Sequence, residues 1–147
     1  MNVNFSVFID KILSGEKRQT IRRSSPKWEN VKAGEKLTLY TGLRTKECRK
    51  LGEAVVESIT PITIDTDDSF VEIHTPLGDF KLSYLDLEDL AGRDGFDDVR
   101  DFFTFFWNMY FWSAHCRKRP QFAETKIEMV VIRWKDFKEV KDETSVN

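Results

Sequence analysis

The sequence predicts an α+β fold, a small β-barrel of about five or six strands with flanking helices, on three observations. Segments with period-two alternation or short apolar runs outnumber helical ones. One helical pattern precedes the first strand, and a helical pair is inserted before the last. The regular βαβ alternation that a parallel α/β sheet needs is missing. With 147 residues, 40% of them hydrophobic, the chain can bury well over half of its unfolded surface without disulfide or metal staples. One domain over residues 1–137 is expected, followed by a polar, fraying tail over 138–147.

Phe5, Phe8, Ile9, Ile12 and Leu13 follow the i, i+3, i+4, i+7, i+8 spacing of a one-faced helix, and Gly15 stands where a left-handed residue ends it. A strand over 19–23 follows. There Arg18, Thr20 and Arg22 share one face, two guanidiniums flanking a hydroxyl, while Gln19, Ile21 and Arg23 share the other. Ser24 to Asn30 reads as a loop, because Pro26 biases Ser25 away from helix. After an Ala33-Gly34-Glu35 turn, Lys36 to Thr41 alternates as a half-buried strand and stops at Gly42. A basic loop from Arg44 to Lys50 leads into a strand over 51–59, whose Gly52 marks a bulge or a close backbone approach, and Pro61 to Ile64 forms a short β segment.

Phe70 to His74 and Asp79 to Leu82 form a hairpin around the turn Thr75-Pro76-Leu77-Gly78. Tyr84 to Leu90 is helical, Asp94 to Asp97 interrupts it, and Asp97 caps a second helix running to about Trp112. That helix carries Phe102, Phe103, Phe105, Phe106, Trp107, Tyr110, Phe111 and Trp112, too many aromatics for one narrow stripe. It is either deeply buried or leaves an aromatic surface for a ligand or a protein partner. Arg117-Lys118-Arg119-Pro120 breaks it with a second basic spot, and a strand over 127–134 ends the pattern.

Cys48 and Cys116 form no CxxC pair, and no apolar leader or membrane-length span is present, so a reduced, cytoplasmic setting without membrane contact is expected. His74 and His115 stand apart, and Cys116 directly follows His115, so neither a metal nor a Cys/His nucleophile is expected. The phosphate-cradling GxxxxGK[ST] and the dinucleotide GxGxxG do not occur, and no cofactor is expected. The net charge of -2 hides an asymmetry. Residues 11–50 hold 12 lysines and arginines against four glutamates, a surplus of eight positive charges, which leaves the remainder ten negative. Such a block suits either an anionic partner or a pair of complementary solvated surfaces.

The stretch Gly15 to Arg22 carries the chemistry. A glycine stop, charged side chains and a hydroxyl meet at one helix-to-strand junction, which suits a polar or anionic ligand. Lys17 beside Thr20 has the makings of a general base and a nucleophile, provided the lysine is neutral, and desolvation or the nearby Arg18 and Arg22 would lower its pKa. Asp94, in the loop Ala91 to Phe96, is the candidate carboxylate for proton transfer. Surface salt bridges and a turn-forming Asp-Gly explain the same residues. As a binding surface, Lys17, Arg18, Arg22 and Arg23 suit phosphates or base edges, Arg93 lies in the same loop as Asp94, and Trp28 or Tyr40 suits base stacking.

The chain resembles the ASCH domain family, a branch of the PUA-like β-barrels associated with RNA. The likeness rests on Ile12-Leu13-Ser14-Gly15-Glu16-Lys17-Arg18-Gln19-Thr20-Ile21-Arg22, on Ala33-Gly34-Glu35-Lys36-Leu37, on Leu90-Ala91-Gly92-Arg93-Asp94-Gly95-Phe96 ahead of an aromatic helix, and on Val131-Ile132-Arg133-Trp134. The resemblance implies a single barrel whose cleft is lined by the GxKxxTxR-like segment, binding RNA, single-stranded nucleic acid or a nucleoside derivative. Some relatives hydrolyse the acyl amide of N4-acetylcytidine with a lysine, a threonine nucleophile and a glutamate, and others are ribonucleases. Lys17 and Thr20 match the first two roles, and Asp94 falls where the glutamate is expected, one methylene shorter.

Overall fold

The computed structural model describes residues 1–111 and 126–140. Within them the order is β1 (Asn2–Phe5), α1 (Ile9–Ser14), β2 (Gln19–Arg23), α2 (Pro26–Glu29), β3 (Lys36–Thr41), β4 (Arg49–Asp65), β5 (Phe70–Thr75), β6 (Gly78–Lys81), α3 (Tyr84–Asp94), α4 (Val99–Phe106), a π-helical turn (Trp107–Phe111) and β7 (Lys126–Glu139).

The long strands β4 and β7 form the spine. β7 follows one edge of β4 from Gly52 to Asp65, while β3 and β5 take successive stretches of the other edge. This explains how Pro61 sits inside a 17-residue strand, where two separate segments were expected. The β3 ladder ends before Pro61 and the β5 ladder begins at Ile62, so the residue without an N–H falls in the gap between partners. Register shifts between Glu53 and Val55 and between Val56 and Ser58 bend the β4–β7 pair. Gly52 marks a close approach, since a Cβ there would collide with the Lys138 carbonyl and the Phe137 ring.

β2 lies beyond β7, β1 pairs in parallel with β3, and β6 finishes the opposite edge. No ladder joins β2 to β1 or β6 among the described residues, so the mixed α+β character holds but the seven-stranded sheet stays open instead of closing as a barrel. Side chains fill the gap. Arg22 Nη2 reaches across from β2 and donates to the Asn4 carbonyl of β1 at 2.6 Å.

Two apolar clusters flank the β7 spine. Met129 and Val131 face Leu90, Phe96, Phe102 and Phe106 of the helical side, while Val130, Ile132 and Trp134 face Phe5, Ile12, Leu37 and Leu39. A strand buried on both faces reads as the continuous apolar run Met129 to Ile132.

The amino-terminal helix expected from Phe5 is shorter. Val3 and Phe5 are buried and Asn2 and Asn4 exposed, the alternation of a strand, and Phe8 turns the chain at a φ of 61° before α1 begins. Phe5 and Phe8 satisfy a helical spacing only because strand and helix put apolar residues at overlapping positions. Ser24 to Asn30 contains the short α2, with Ser25 extended and Pro26 in the first turn, where its missing N–H costs nothing. Asp94 closes α3 in place of standing in a loop, and Asp98, not Asp97, caps α4, its carboxylate accepting from the Asp101 N–H at 2.7 Å. Phe102, Phe103 and Phe106 are buried and Phe105 and Tyr110 pack half-buried against the same core, whereas Trp107 and Met109 are exposed. Trp112, His115, Cys116 and the Arg117 to Pro120 run lie outside the described residues, as does 141–147. β7 itself continues to Glu139, past the point where the tail was expected. Among the described residues no helix is long and apolar enough to cross a membrane.

Candidate functional site

Gly15 ends α1 in the left-handed conformation at a φ of 85°, its N–H bonded to the Ile12 carbonyl. The turn swings Lys17 inward, tied by its own N–H to the Lys11 carbonyl. Lys17 is 4% exposed and Asp94 5%. Lys17 Nζ donates to the Asp94 carbonyl at 2.5 Å and lies 3.4 Å from Asp94 Oδ1. Gln19, also fully buried, donates from Nε2 to Asp94 Oδ1 at 3.3 Å and to the Leu90 carbonyl at 3.2 Å. The helix end and the strand start are thus pinned together by polar contacts inside an apolar shell.

Thr20 and Arg22 point from β2 into the same space. Arg22 Nε donates to Thr20 Oγ1 at 2.9 Å. The Arg22 guanidinium carbon lies 5.0 Å from the Phe5 ring centre and 6.0 Å from that of Trp28, and Lys17 Nζ lies 5.4 Å from the Phe8 ring. These cations rest on aromatic faces, an attraction that strengthens out of water. A cavity of about 90 Å³ is bounded by Lys17, Thr20, Arg22, Asp94, Phe8 and Tyr110.

Burial pushes the Lys17 ammonium below its usual value, Arg22 reinforces the effect, and Asp94 opposes it. Burial pushes the Asp94 carboxyl up against the opposing pull of Lys17 and Gln19. Arg22 is lowered by burial, and Tyr110 is raised by burial against the opposing influence of Arg22 and Arg23. An acid and a base driven in opposite directions within one cavity are the arrangement from which proton transfer is built.

The residues expected from the sequence divide into two groups. Lys17, Thr20, Arg22 and Asp94 meet at the cavity. Arg18 precedes β2 and escapes its alternation: Nε caps the Gly15 carbonyl at 3.1 Å, and its side chain lines a separate depression of about 390 Å³ with Arg93, Arg133 and Lys135. Arg93 pairs with Asp89 at 3.0 Å on the outer face of α3. Arg23 is exposed at the end of β2. Trp28, 7% exposed, packs in the core, so it is not available as a stacking platform. Tyr40 sits half-buried on β3 and is not among the residues bounding the cavity.

Sequence reasoning missed Gln19 and Tyr110. The alternation puts Gln19 on the face away from Thr20, yet that face lies under α3, and its carboxamide is long enough to reach Asp94. Tyr110 depends on the π-helical turn, which stacks its ring against Phe106 with centres 6.1 Å apart. His74 is also less isolated than its sequence position implies. Its ring bonds Asp79 at 2.8 Å and Thr63 at 2.7 Å, with Glu72 and Glu128 at 3.8 Å. Among the described residues Glu72, His74 and Asp79 alone bring three ligand-type atoms within 4.8 Å of one another. This cluster knits the β5–β6 hairpin to β4 and β7.

No family model and no curated protein matches the chain. Among solved structures it is similar to the ASCH protein from Zymomonas mobilis and to a point mutant of that protein, at TM-scores of 0.50 and 0.51 and 15% identity. The matches cover 95% of this chain and 69% and 71% of those chains. With the site assembled where α1, β2 and α3 meet, this likeness identifies the architecture of the chain as an ASCH-like fold.

Proposed function

We propose that this protein binds RNA or a nucleotide-type ligand at the cavity beneath Gly15 to Arg22. The observation that carries this reading is the convergence of two cations, a hydroxyl and a carboxyl on one cavity with aromatic walls. Buried bonds hold these groups in place before any ligand arrives, so little ordering entropy remains to be lost on binding. A space of about 90 Å³ admits one functional group, not a whole nucleoside, so the rest of such a ligand lies over the surrounding surface. Fluorescence anisotropy with a short single-stranded oligoribonucleotide tests this. Binding that weakens as salt rises is expected, and absent or salt-independent binding would overturn it.

A second reading, hydrolysis of an acylated nucleoside amide, draws on the opposed protonation of Lys17 and Asp94. Thr20 Oγ1 attacks the acyl carbon while neutral Lys17 takes the hydroxyl proton, and Arg22 Nε stabilises negative charge on the oxygen. The C–N bond then breaks as protonated Asp94 gives its proton to the leaving amine. Water then attacks the acyl-threonine ester, Asp94 taking its proton while Lys17 returns a proton to Thr20 Oγ1, which releases the carboxylic acid and restores all three groups. Turnover of N4-acetylcytidine should fall by at least about a hundredfold in Thr20→Ala and Lys17→Ala. Full turnover in either variant, or none in the wild type, removes this reading.

A further inference from the structure

The depression beside Arg18 has no role in the cavity chemistry, yet it concentrates unspent polar capacity. Four buried side-chain polar atoms in the described residues have no hydrogen-bond partner, and three of them, Gln19 Oε1, Arg133 Nε and Trp134 Nε1, belong to residues that line it. Buried polar groups are nearly always paired, so orphans gathered around one concavity mark a place where a ligand or solvent completes the bonding. Gln19 and Trp134 are 1% and 2% exposed. Four cations, Arg18, Arg93, Arg133 and Lys135, face two carboxylates, Glu16 and Glu57, around about 390 Å³. The depression adjoins the first cavity through Gln19, whose other amide atom bonds Asp94.

We infer that this depression is a phosphate subsite, built by Arg133 and Lys135 of β7 together with Arg18 and Arg93, which takes a backbone phosphate of a single-stranded RNA whose neighbouring group addresses the Lys17 cavity. The inference rests on the RNA-binding reading above and specifies its substrate class: a phosphodiester-bearing strand, in preference to a free nucleoside. A tetrahedral oxyanion accepts from several N–H donors at once, which matches guanidinium donors converging from the turn before β2, the last turn of α3 and β7. The orphaned Arg133 donor is of the kind an oxyanion satisfies, and the Gln19 acceptor, its register partner on the same face, suits a sugar hydroxyl.

Two measurements test it. In a titration of the wild-type protein with inorganic phosphate, the NMR signals of the Arg133 and Arg18 side-chain N–H groups should shift saturably. In anisotropy with the same oligoribonucleotide, Arg133→Gln/Lys135→Gln should bind at least about tenfold more weakly, with a salt slope shallower by about one to one and a half. Should Arg133→Gln disturb folding by circular dichroism, Arg93→Gln/Lys135→Gln, altering two exposed side chains, replaces it. Unmoved signals, or a variant with wild-type affinity and slope, would overturn the subsite while RNA binding by the wild type left the functional reading intact. If the wild type binds no RNA, the functional reading fails and the RNA subsite with it, whatever phosphate does.

Discussion

At the residue scale the site turns on one buried pair. Lys17 and Asp94 are each ionisable groups taken out of water, held by one another, by the Asp94 carbonyl and by Gln19. Removing one partner leaves the other uncompensated, so Lys17→Met or Asp94→Leu should each cost about 3 to 5 kcal/mol in urea unfolding. The double variant should recover a large part, because an apolar pair in that space has no desolvation cost. Additive losses would show that the two groups act independently.

The pH dependence has a definite sign. Folding raises the Asp94 pKa, so the folded chain keeps that proton longer, and stability is lost as pH rises from the ordinary carboxylate range through the folded value. Folding lowers the Lys17 pKa, so between the folded value and about 10.5 the unfolded chain holds the extra proton and stability climbs with pH. Unfolding free energies of wild type and Asp94→Asn, compared over pH, should diverge in the carboxylate window. Parallel curves there would show that the Asp94 pKa is not raised.

Lys17 and Thr20 were legible in the sequence because reactive side chains beside a glycine stop are conspicuous, and Asp94 stands out there as a loop carboxylate although it ends α3. Gln19 was not, since a strand's two faces are equivalent until something covers one of them. Trp28 misled for the same reason: an indole looks identical in sequence whether it is stacked on a ligand or packed in a core.

At the element scale, the chain end of α3 is fitted to the residue before α1. Gly95 has a φ of 109°, and a Cβ there would lie 2.8 Å from the Phe8 ring. Phe8 itself holds a left-handed φ of 61° and contacts Phe96 edge to face at 5.1 Å. Gly95→Ala should therefore cost about 1 to 3 kcal/mol and shift the Phe8 ring, read by urea unfolding and by aromatic NMR signals. Asp98→Ala should cost about 1 kcal/mol through the lost α4 cap, whereas Asp97→Ala should be near neutral at that helix end. Strands β2, β3, β5 and β6 were legible because alternation is a local property. The division of Phe5 to Leu13 into strand, turn and helix was not, because it depends on β1 finding β3 some 35 residues later. The π-helical turn likewise leaves no periodic signature that distinguishes it from an α-helix.

At the scale of the molecule, the basic block of residues 11–50 does not act as a unit. Lys17 and Arg22 turn inward, Lys36 and Lys50 pair with Glu53 at 2.9 Å, and Arg18 joins cations from α3 and β7. The Glu53 carboxylate is held down at about 2 by its hydrogen bonds to Lys50 and Lys36. The counted surplus therefore overstates the field available to a ligand. With about three or four phosphate contacts, log affinity for single-stranded RNA should fall against log salt with a slope of about -2 to -3. A slope near -6 would mean that most of the block engages the strand.

The sequence by itself determined the α+β composition, most element positions and the chemical identity of the cavity groups, because hydrophobic period, glycine stops and reactive side chains are written locally. Only the tertiary structure decided that the sheet stays open, that Asp94 is a buried partner of Lys17, and that Arg18, Arg93 and Arg133 share a depression. Those outcomes join residues up to 115 positions apart, Arg18 to Arg133. Which face is covered, and at what register, is settled by packing between elements, and no local pattern encodes it.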